Sequence, residues 1–436
     1  MTKKLVKPTT LSGFMELLPS DQILFNNIMD TIRENYEKYG FLPIDTPVIE
    51  REEILLAKGG GETEKQIYKF KKGDTDLALR FDLTVPLARY VSQHFSELTF
   101  PFRRYQIGKV YRGERSQKGR FREFYQCDID IVGNQKLDII NDAEIPSIIY
   151  STFKDLGFDE FIIKINNRKL LNGFFQWLGV EDTGQVLRIV DKLEKIGSEK
   201  VKKELREIGL QDEVVEKILE FMMINGSNSE ILGKLKAMEV ENESFNIGLE
   251  ELSIVNKYVK TFGVPESNYS IDLTIARGLD YYTGTVYETF LDNYPDLGSV
   301  CSGGRYDDLA QNYTKQKLPG VGISIGLTRL FYQFREANII SSDCNTLTKA
   351  LIIPMVDYLE ESIEIANYLR IKGIMTQVYL EKGKMGKKFS YADKLKIPYV
   401  LIIGPDEVAE NKVSFRDMKT GEQKLLSLEE VSDKLR

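Results

Sequence analysis

Histidine and cysteine are scarce in this chain. Of 436 residues one is a histidine, His94, and three are cysteines, Cys127, Cys301 and Cys344, none of them in a Cys-x-x-Cys pair. A structural zinc site needs about four Cys or His ligands at close spacing, so none can be assembled from this set. A serine or cysteine nucleophile activated by histidine would have to work through His94 alone, which follows Ser92 and Gln93 in a stretch that reads as a surface turn. An odd number of scattered thiols favours a reducing compartment. The first ten residues lack the apolar core of a secretion signal, and no apolar run approaches the ~20 residues that span a bilayer, so the expected location is the cytoplasm. Positive charge is in the minority, 59 Lys and Arg against 66 Asp and Glu for a net charge of −7. That argues against a surface that tracks nucleic acid throughout, while leaving room for local basic patches.

What is present is ordinary for a soluble globular protein, 42% hydrophobic and 29% charged, on a chain long enough for about three domains. Ser20 and Asp21 signal a helix start, with Leu24, Ile28, Ile32 and Tyr39 at helical spacing until Gly40 stops it. The segment Gly40 to Glu50 carries Pro43 and Pro47, which forbid helix and suit an extended edge or interface segment. Strand-like runs at Leu77 to Phe81, Tyr105 to Tyr111 and Phe124 to Val132 then alternate with turns, the pattern of an antiparallel sheet. Charged segments of helical period fill residues 172–261 and read as a helical insertion between a first part, 1–171, and a second part, 262–340. After the polar stretch Ser341 to Thr348, the order strand, helix, strand, helix, strand predicts a separate α/β unit with a parallel sheet over 349–436.

The densest chemistry lies between Tyr111 and Tyr125, where Arg112, Arg115, Lys118, Arg120 and Arg122 fall within eleven residues of an acidic protein. A hairpin that returns through Phe124 and Gln126 brings an aromatic face beside Arg112 and Glu114. Such a group suits a nucleotide: guanidinium on phosphate, an acceptor for the adenine amino group, a ring to stack on the base. Taken alone, this run is better accounted for by a solvated basic hairpin, and it is the next segment that shifts the balance. A second arginine-aromatic run, Ala276 to Glu288, offers Asp280, Tyr281 and Tyr282 between Gly278 and Gly284, as expected at a pocket wall. The glycine-rich segments Cys301 to Asp307 and Gly320 to Gly326 fit either a site or strands in close contact.

These segments carry a resemblance. Tyr111-Arg112-Gly113-Glu114 with the loop to Phe124 resembles motif 2 of the class II aminoacyl-tRNA synthetases, Gly40 to Glu50 resembles motif 1, and Gly322 to Leu330 resembles motif 3, with Thr328 where the family often has Glu. Arg277 to Tyr282 and Ser302 to Asp307 resemble the two signature motifs of the histidyl-tRNA synthetases, and Leu79 to Pro86 resembles their amino-acid-binding segment. The similarity runs through nearly the whole chain.

The resemblance implies an α+β fold: an antiparallel-sheet class II catalytic domain with a helical insertion, followed by a C-terminal α/β anticodon-binding domain. It implies ATP-dependent activation of L-histidine to the adenylate and transfer to the 3′ end of tRNA-His, with ATP as co-substrate, Mg2+ on the ATP, and a homodimer formed through motif 1. By residue it implies Arg112 on the α-phosphate and the histidine carboxylate, Glu114 on the adenine amino group, Phe124 stacked on the base, and Arg120 and Arg329 on the terminal phosphates. Arg277 would be the catalytic arginine. Asp82, Thr84 and Gln126 would hold the histidine ammonium, with Asp130 and Tyr282 on the imidazole and Tyr281 beside them. The same family includes a catalytically silent relative, the histidine-binding regulatory subunit of ATP phosphoribosyltransferase. Against that alternative stand the intact Arg277 to Tyr282 run and the C-terminal unit from Ala350, which that relative lacks.

Overall fold

The computed structural model describes residues 5–57, 62–115, 119–276, 282–308, 310–341 and 345–436. Lys118, Arg277, Gly278, Asp280, Tyr281 and Cys344, singled out above, lie outside the described residues. The chain forms two units, one built on Ile28–Ile339 and the other on Ile340–Arg436 together with Glu16–Asn27.

The first unit is organised by an eight-stranded sheet. Its strands, with those of a small neighbouring sheet, are β1 (Leu42–Pro43), β2 (Ile49–Arg51), β3 (Lys69–Lys72), β4 (Thr75–Leu79), β5 (Phe102–Tyr111), β6 (Glu123–Val132), β7 (Phe161–Asn167), β8 (Tyr269–Ile271), β9 (Thr285–Leu291), β10 (Cys301–Tyr306) and β11 (Gly320–Ile325). The large sheet runs β1-β5-β6-β11-β10-β9-β7-β8, and β2-β4-β3 form the small one. The large sheet is antiparallel, as the alternating runs predict, except where the outermost strands pair in parallel, β1 with β5 and β8 with β7. The two-proline segment thus supplies the edge strand expected of it.

Strand alternation divides the sheet into two faces. On β6, Cys127, Ile129 and Ile131 are fully buried on one side, the side where the helix Pro19–Lys38 reaches β6 and the helix Ile140–Asp155 contacts β10 and β11. Tyr36 of the first helix donates its hydroxyl to the Cys127 carbonyl at 3.0 Å. The second helix is fixed by a buried ion pair, Arg305 to Asp142 at 2.7 Å. The arginine of the Ser302 to Asp307 run is therefore structural, on the face away from the cleft.

The helical segment packs its first helix, Arg168–Trp177, against its last, Glu243–Thr261. The crossing is so close that a Cβ on Gly248 would fall 2.3 Å from the Leu170 backbone nitrogen. Phe174 and Phe221 stack at 3.9 Å between centroids at the centre of this helical core.

The second unit has strands β12 (Ala350–Pro354), β13 (Thr376–Val378), β14 (Tyr399–Ile403), β15 (Val413–Asp417) and β16 (Gln423–Leu426) in the order β13-β12-β14-β15-β16. The first three are parallel, as expected. The sheet is nevertheless mixed, because a C-terminal hairpin adds β15 and β16 antiparallel. Asp417 makes that hairpin, its carboxylate accepting the backbone N–H of Lys419 and Thr420 at 2.8 and 2.9 Å, a local turn that a reading by hydrophobic run passes over.

Candidate active site

The other face of the large sheet carries a cleft of about 520 Å³. The size is that of a small-molecule site. Register explains its walls. Phe124, Gln126, Asp128 and Asp130 alternate along β6 onto this face, and β11 sets Gly322 opposite Asp130 and Ser324 opposite Asp128. On β10, Gly304 lies opposite Gly322 and Ser302 opposite Ser324. Glycine is required on this floor: a Cβ on Gly322 would fall 2.3 Å from Asp130 Oδ1.

Of the residues singled out in the sequence, Asp82, Thr84, Arg112, Glu114, Arg120, Phe124, Gln126, Asp130, Tyr282 and Arg329 all line this cleft. Arg277 and Tyr281 are outside the described residues. His94 is not among the lining residues; it ends the helix Thr84–Gln93, its ring tilted against Tyr90 at 4.8 Å.

At one end the cleft is cationic. Arg112 donates Nε–H to the Phe81 carbonyl at 3.0 Å, and its guanidinium lies over the Phe124 ring, 5.1 Å from the centroid. Arg120 stands mostly exposed at 3.6 Å from Glu114. Arg329, on the helix Leu327–Glu336, donates to the Leu297 carbonyl at 3.0 Å. Thr328 has a use of its own here: its hydroxyl accepts the backbone N–H of Tyr125 at 2.8 Å, tying β6 to the start of that helix.

At the other end the cleft is lined by buried carboxyl groups. Asp82, at the start of the helix Thr84–Gln93, accepts the Val85 backbone N–H at 3.0 Å. Asp130 accepts the Tyr306 hydroxyl at 2.8 Å and pairs through Oδ2 with Arg104 at 2.5 Å. Arg104 is fully buried. Gln126 donates to the Ser324 hydroxyl at 2.6 Å. Burial raises all three carboxyls: Asp82 and Asp128 to about 6 and Asp130 to about 7, against the lowering pull of Arg104 and Arg112 on the first two and of Arg104 and Tyr306 on Asp130.

Sequence reasoning missed Arg104, Asp128 and Tyr306. Asp128 was within reach, because the period of two that selects Gln126 and Asp130 selects it as well. Arg104 was not: beside Arg103 it reads as one of two alike, and only the register that sets it opposite Asp130 distinguishes them.

The raised carboxyls have a consequence for stability. In the folded protein they keep protons that the unfolded chain, with Asp near 3.9, has released. The native state thus binds more protons between about pH 4 and pH 7, so ligand-free stability falls as pH rises through that window. We expect the melting temperature of Asp130→Asn, relative to the parent, to climb as pH rises from about 5 to 7.5, because the variant no longer titrates there. A flat difference would mean that Asp130 ionises normally.

Comparisons with known proteins agree with one another. Residues 13–330 match the sequence model of the family described as Histidyl-tRNA synthetase, and residues 349–436 match that of the Anticodon binding domain. A histidine–tRNA ligase of Clostridium tetani is 67% identical over 99% of this chain and 98% of its own. One from Finegoldia magna is 51% identical over 99% of this chain and 100% of its own. Among solved structures, a histidyl-tRNA synthetase from Nostoc sp. PCC 7120 superposes with a TM-score of 0.91 at 44% identity, covering 99% of both chains. A Bacillus halodurans protein described as an ATP phosphoribosyltransferase regulatory subunit/histidyl-tRNA synthetase shares the fold, with a TM-score of 0.73 at 21% identity over 88% of this chain and 97% of its own.

Proposed function

The chain belongs to the histidyl-tRNA synthetase family, and from that premise we propose that its cleft activates L-histidine with ATP to histidyl-adenylate and pyrophosphate, then passes the histidyl group to the 3′ end of tRNA-His. One observation carries the reading most directly: a single cleft with arginines and an aromatic ring at one end and three buried carboxylates at the other. Such a cleft is complementary to ATP on one side and to an amino acid with a cationic ammonium and a polar ring on the other. The regulatory-subunit alternative loses its footing, since relatives similar over the full length, anticodon-binding domain included, are ligases.

The reaction is an in-line attack of the histidine carboxylate on the α-phosphate. Two anions meet, so the requirement is electrostatic, and no protein nucleophile or base is needed. In this reading Arg112 bridges the attacking carboxylate and the α-phosphate, with Arg277 on the developing charge. Phe124 stacks on adenine once the Arg112 guanidinium swings from that ring to the phosphate, and Glu114 accepts the adenine amino group. Arg120 and Arg329 take the terminal phosphates. ATP enters as its magnesium salt, the ion riding on the phosphates. Asp82, Thr84 and Gln126 receive the histidine ammonium; Asp130, held by Arg104 and Tyr306, meets the imidazole together with Tyr282, with Tyr281 alongside.

The C-terminal unit meets the anticodon. Lys382, Lys384 and Lys387 are exposed there, whereas Lys388, which in sequence belongs to the same basic cluster, is buried and donates to the Pro354 carbonyl at 2.9 Å, so it is not available to phosphate. A homodimer in the cytoplasm completes the reading. It is supported by the apolar side chains that the motif 1 segment exposes, Leu42 and Val48 among them, and by the absence, among the described residues, of a helix long and apolar enough to cross a membrane.

Purified protein should exchange labelled pyrophosphate into ATP only when L-histidine is present, and should charge tRNA-His. Histidine binding without exchange in clean, folded protein would return the regulatory reading.

A further inference from the structure

Three acceptor oxygens in the cleft, Asp82 Oδ2, Gln126 Oε1 and Asp128 Oδ1, have no hydrogen-bond partner among the described residues. Their side chains are buried, at 2, 8 and 2% exposure, and all three residues line the same cleft. Buried acceptors without donors are unfavourable, and several on one wall point to a ligand that brings donors. A primary ammonium offers three N–H bonds and no acceptor. The carboxylates also ask for a cation. Asp128 raises Asp82 further by repulsion; Arg104 and Arg112 lower both carboxyls without offsetting the burial that raises them, and the ion pair of Arg104 goes to Asp130.

Resting on the functional reading above, we propose that Asp128 is a further substrate-binding residue, whose free carboxylate oxygen accepts one N–H of the histidine α-ammonium beside Asp82 and Gln126. Asp128 is two residues beyond Gln126 on the same face of β6, and a cation seated between it and Asp82 relieves the repulsion of both.

The test compares two fragments of the substrate. L-Histidinol keeps the ammonium and lacks the carboxylate; 3-(imidazol-4-yl)propionate keeps the carboxylate and ring and lacks the ammonium. Titration calorimetry of the full-length protein with each, for the parent, Asp128→Asn and Asp128→Ala, reads the contact directly. Both variants should weaken histidinol and raise the histidine KM in exchange by about 10- to 100-fold, the range of a charge-assisted hydrogen bond. Binding of imidazolepropionate and the ATP KM should not move, which also shows that the variants are folded. Equal weakening of both fragments would place Asp128 on the imidazole and overturn the proposal, as would an unchanged histidinol affinity in Asp128→Ala. A parent protein that binds histidinol but shows no histidine-dependent exchange would overturn the functional reading alone, because the contrast between fragments still decides the role of Asp128.

Discussion

Replacing Arg112 by alanine should leave the fold intact and slow histidine-dependent pyrophosphate exchange by about 10²- to 10³-fold, the usual consequence of losing one preorganised electrostatic contact at a reacting centre. The fold should survive because, among the described residues, the side chain donates a hydrogen bond to the Phe81 carbonyl, stacks on Phe124 and interacts electrostatically with Asp82 and Asp128, all at the wall of the cleft. The rate should suffer because charge accumulates on the phosphate as the carboxylate approaches, so the guanidinium matters more in the transition state than in the ground state. Arg112→Lys should recover little: a lysine brings charge without the fork that bridges two oxygens. Single-turnover measurement of adenylate formation separates this from a binding defect. A loss confined to the ATP KM, with the single-turnover rate unchanged, would remove Arg112 from the reacting centre.

Ending the chain near Thr346 should separate the two half-reactions. Among the described residues, every one that lines the cleft precedes Gln333 or is Gln333 itself, so exchange should persist, whereas charging of full-length tRNA-His should fall to a small fraction because the domain matched to anticodon binding is gone. Binding of tRNA should also become less dependent on salt, since the exposed lysines 382, 384 and 387 no longer neutralise phosphates. The truncation has a structural cost, because Glu16–Asn27 group with the unit removed. The second half of that helix stays anchored in the catalytic unit through Asn35 to Asp155 at 3.0 Å and through Tyr36 to the Cys127 carbonyl at 3.0 Å. A lower melting temperature with retained exchange is therefore the expected pattern. Charging at an unchanged kcat/KM would show that the C-terminal unit does not recognise this tRNA.

How far the sequence could be read follows from the range of the forces involved. Period-two alternation is local, so β5 and β6 were found within a few residues of their observed ends, and the helix Pro19–Lys38 needed only its apolar spacing and Gly40. Residues on contiguous motifs, such as Arg112, Glu114 and Phe124, were visible because the loop joining them is short. Arg104 and Tyr306 were hidden because their meaning lies in partners reached across strands: Asp130 is 26 residues from one and 176 from the other in sequence, and neighbours in space. Lys388 is a case of another kind, since spacing alone does not tell it from Lys382, Lys384 and Lys387. A run of lysines reads as one charged surface, yet the helix turns one of them inward to a backbone carbonyl, where it is lost to any ligand.

The bond from Thr328 to Tyr125 bears on the thermodynamics of nucleotide capture. It joins the strand that carries Phe124 to the helix that carries Arg329, so the two walls proposed to hold base and phosphate are tied directly to each other. Their relative freedom is lost once, when the chain folds, and not again each time ATP arrives, which leaves more of the contact energy for affinity. On the proposed assignment of these walls to ATP, Thr328→Val, which keeps the shape and removes the acceptor, should make ATP binding entropically less favourable while the histidine end of the cleft is untouched.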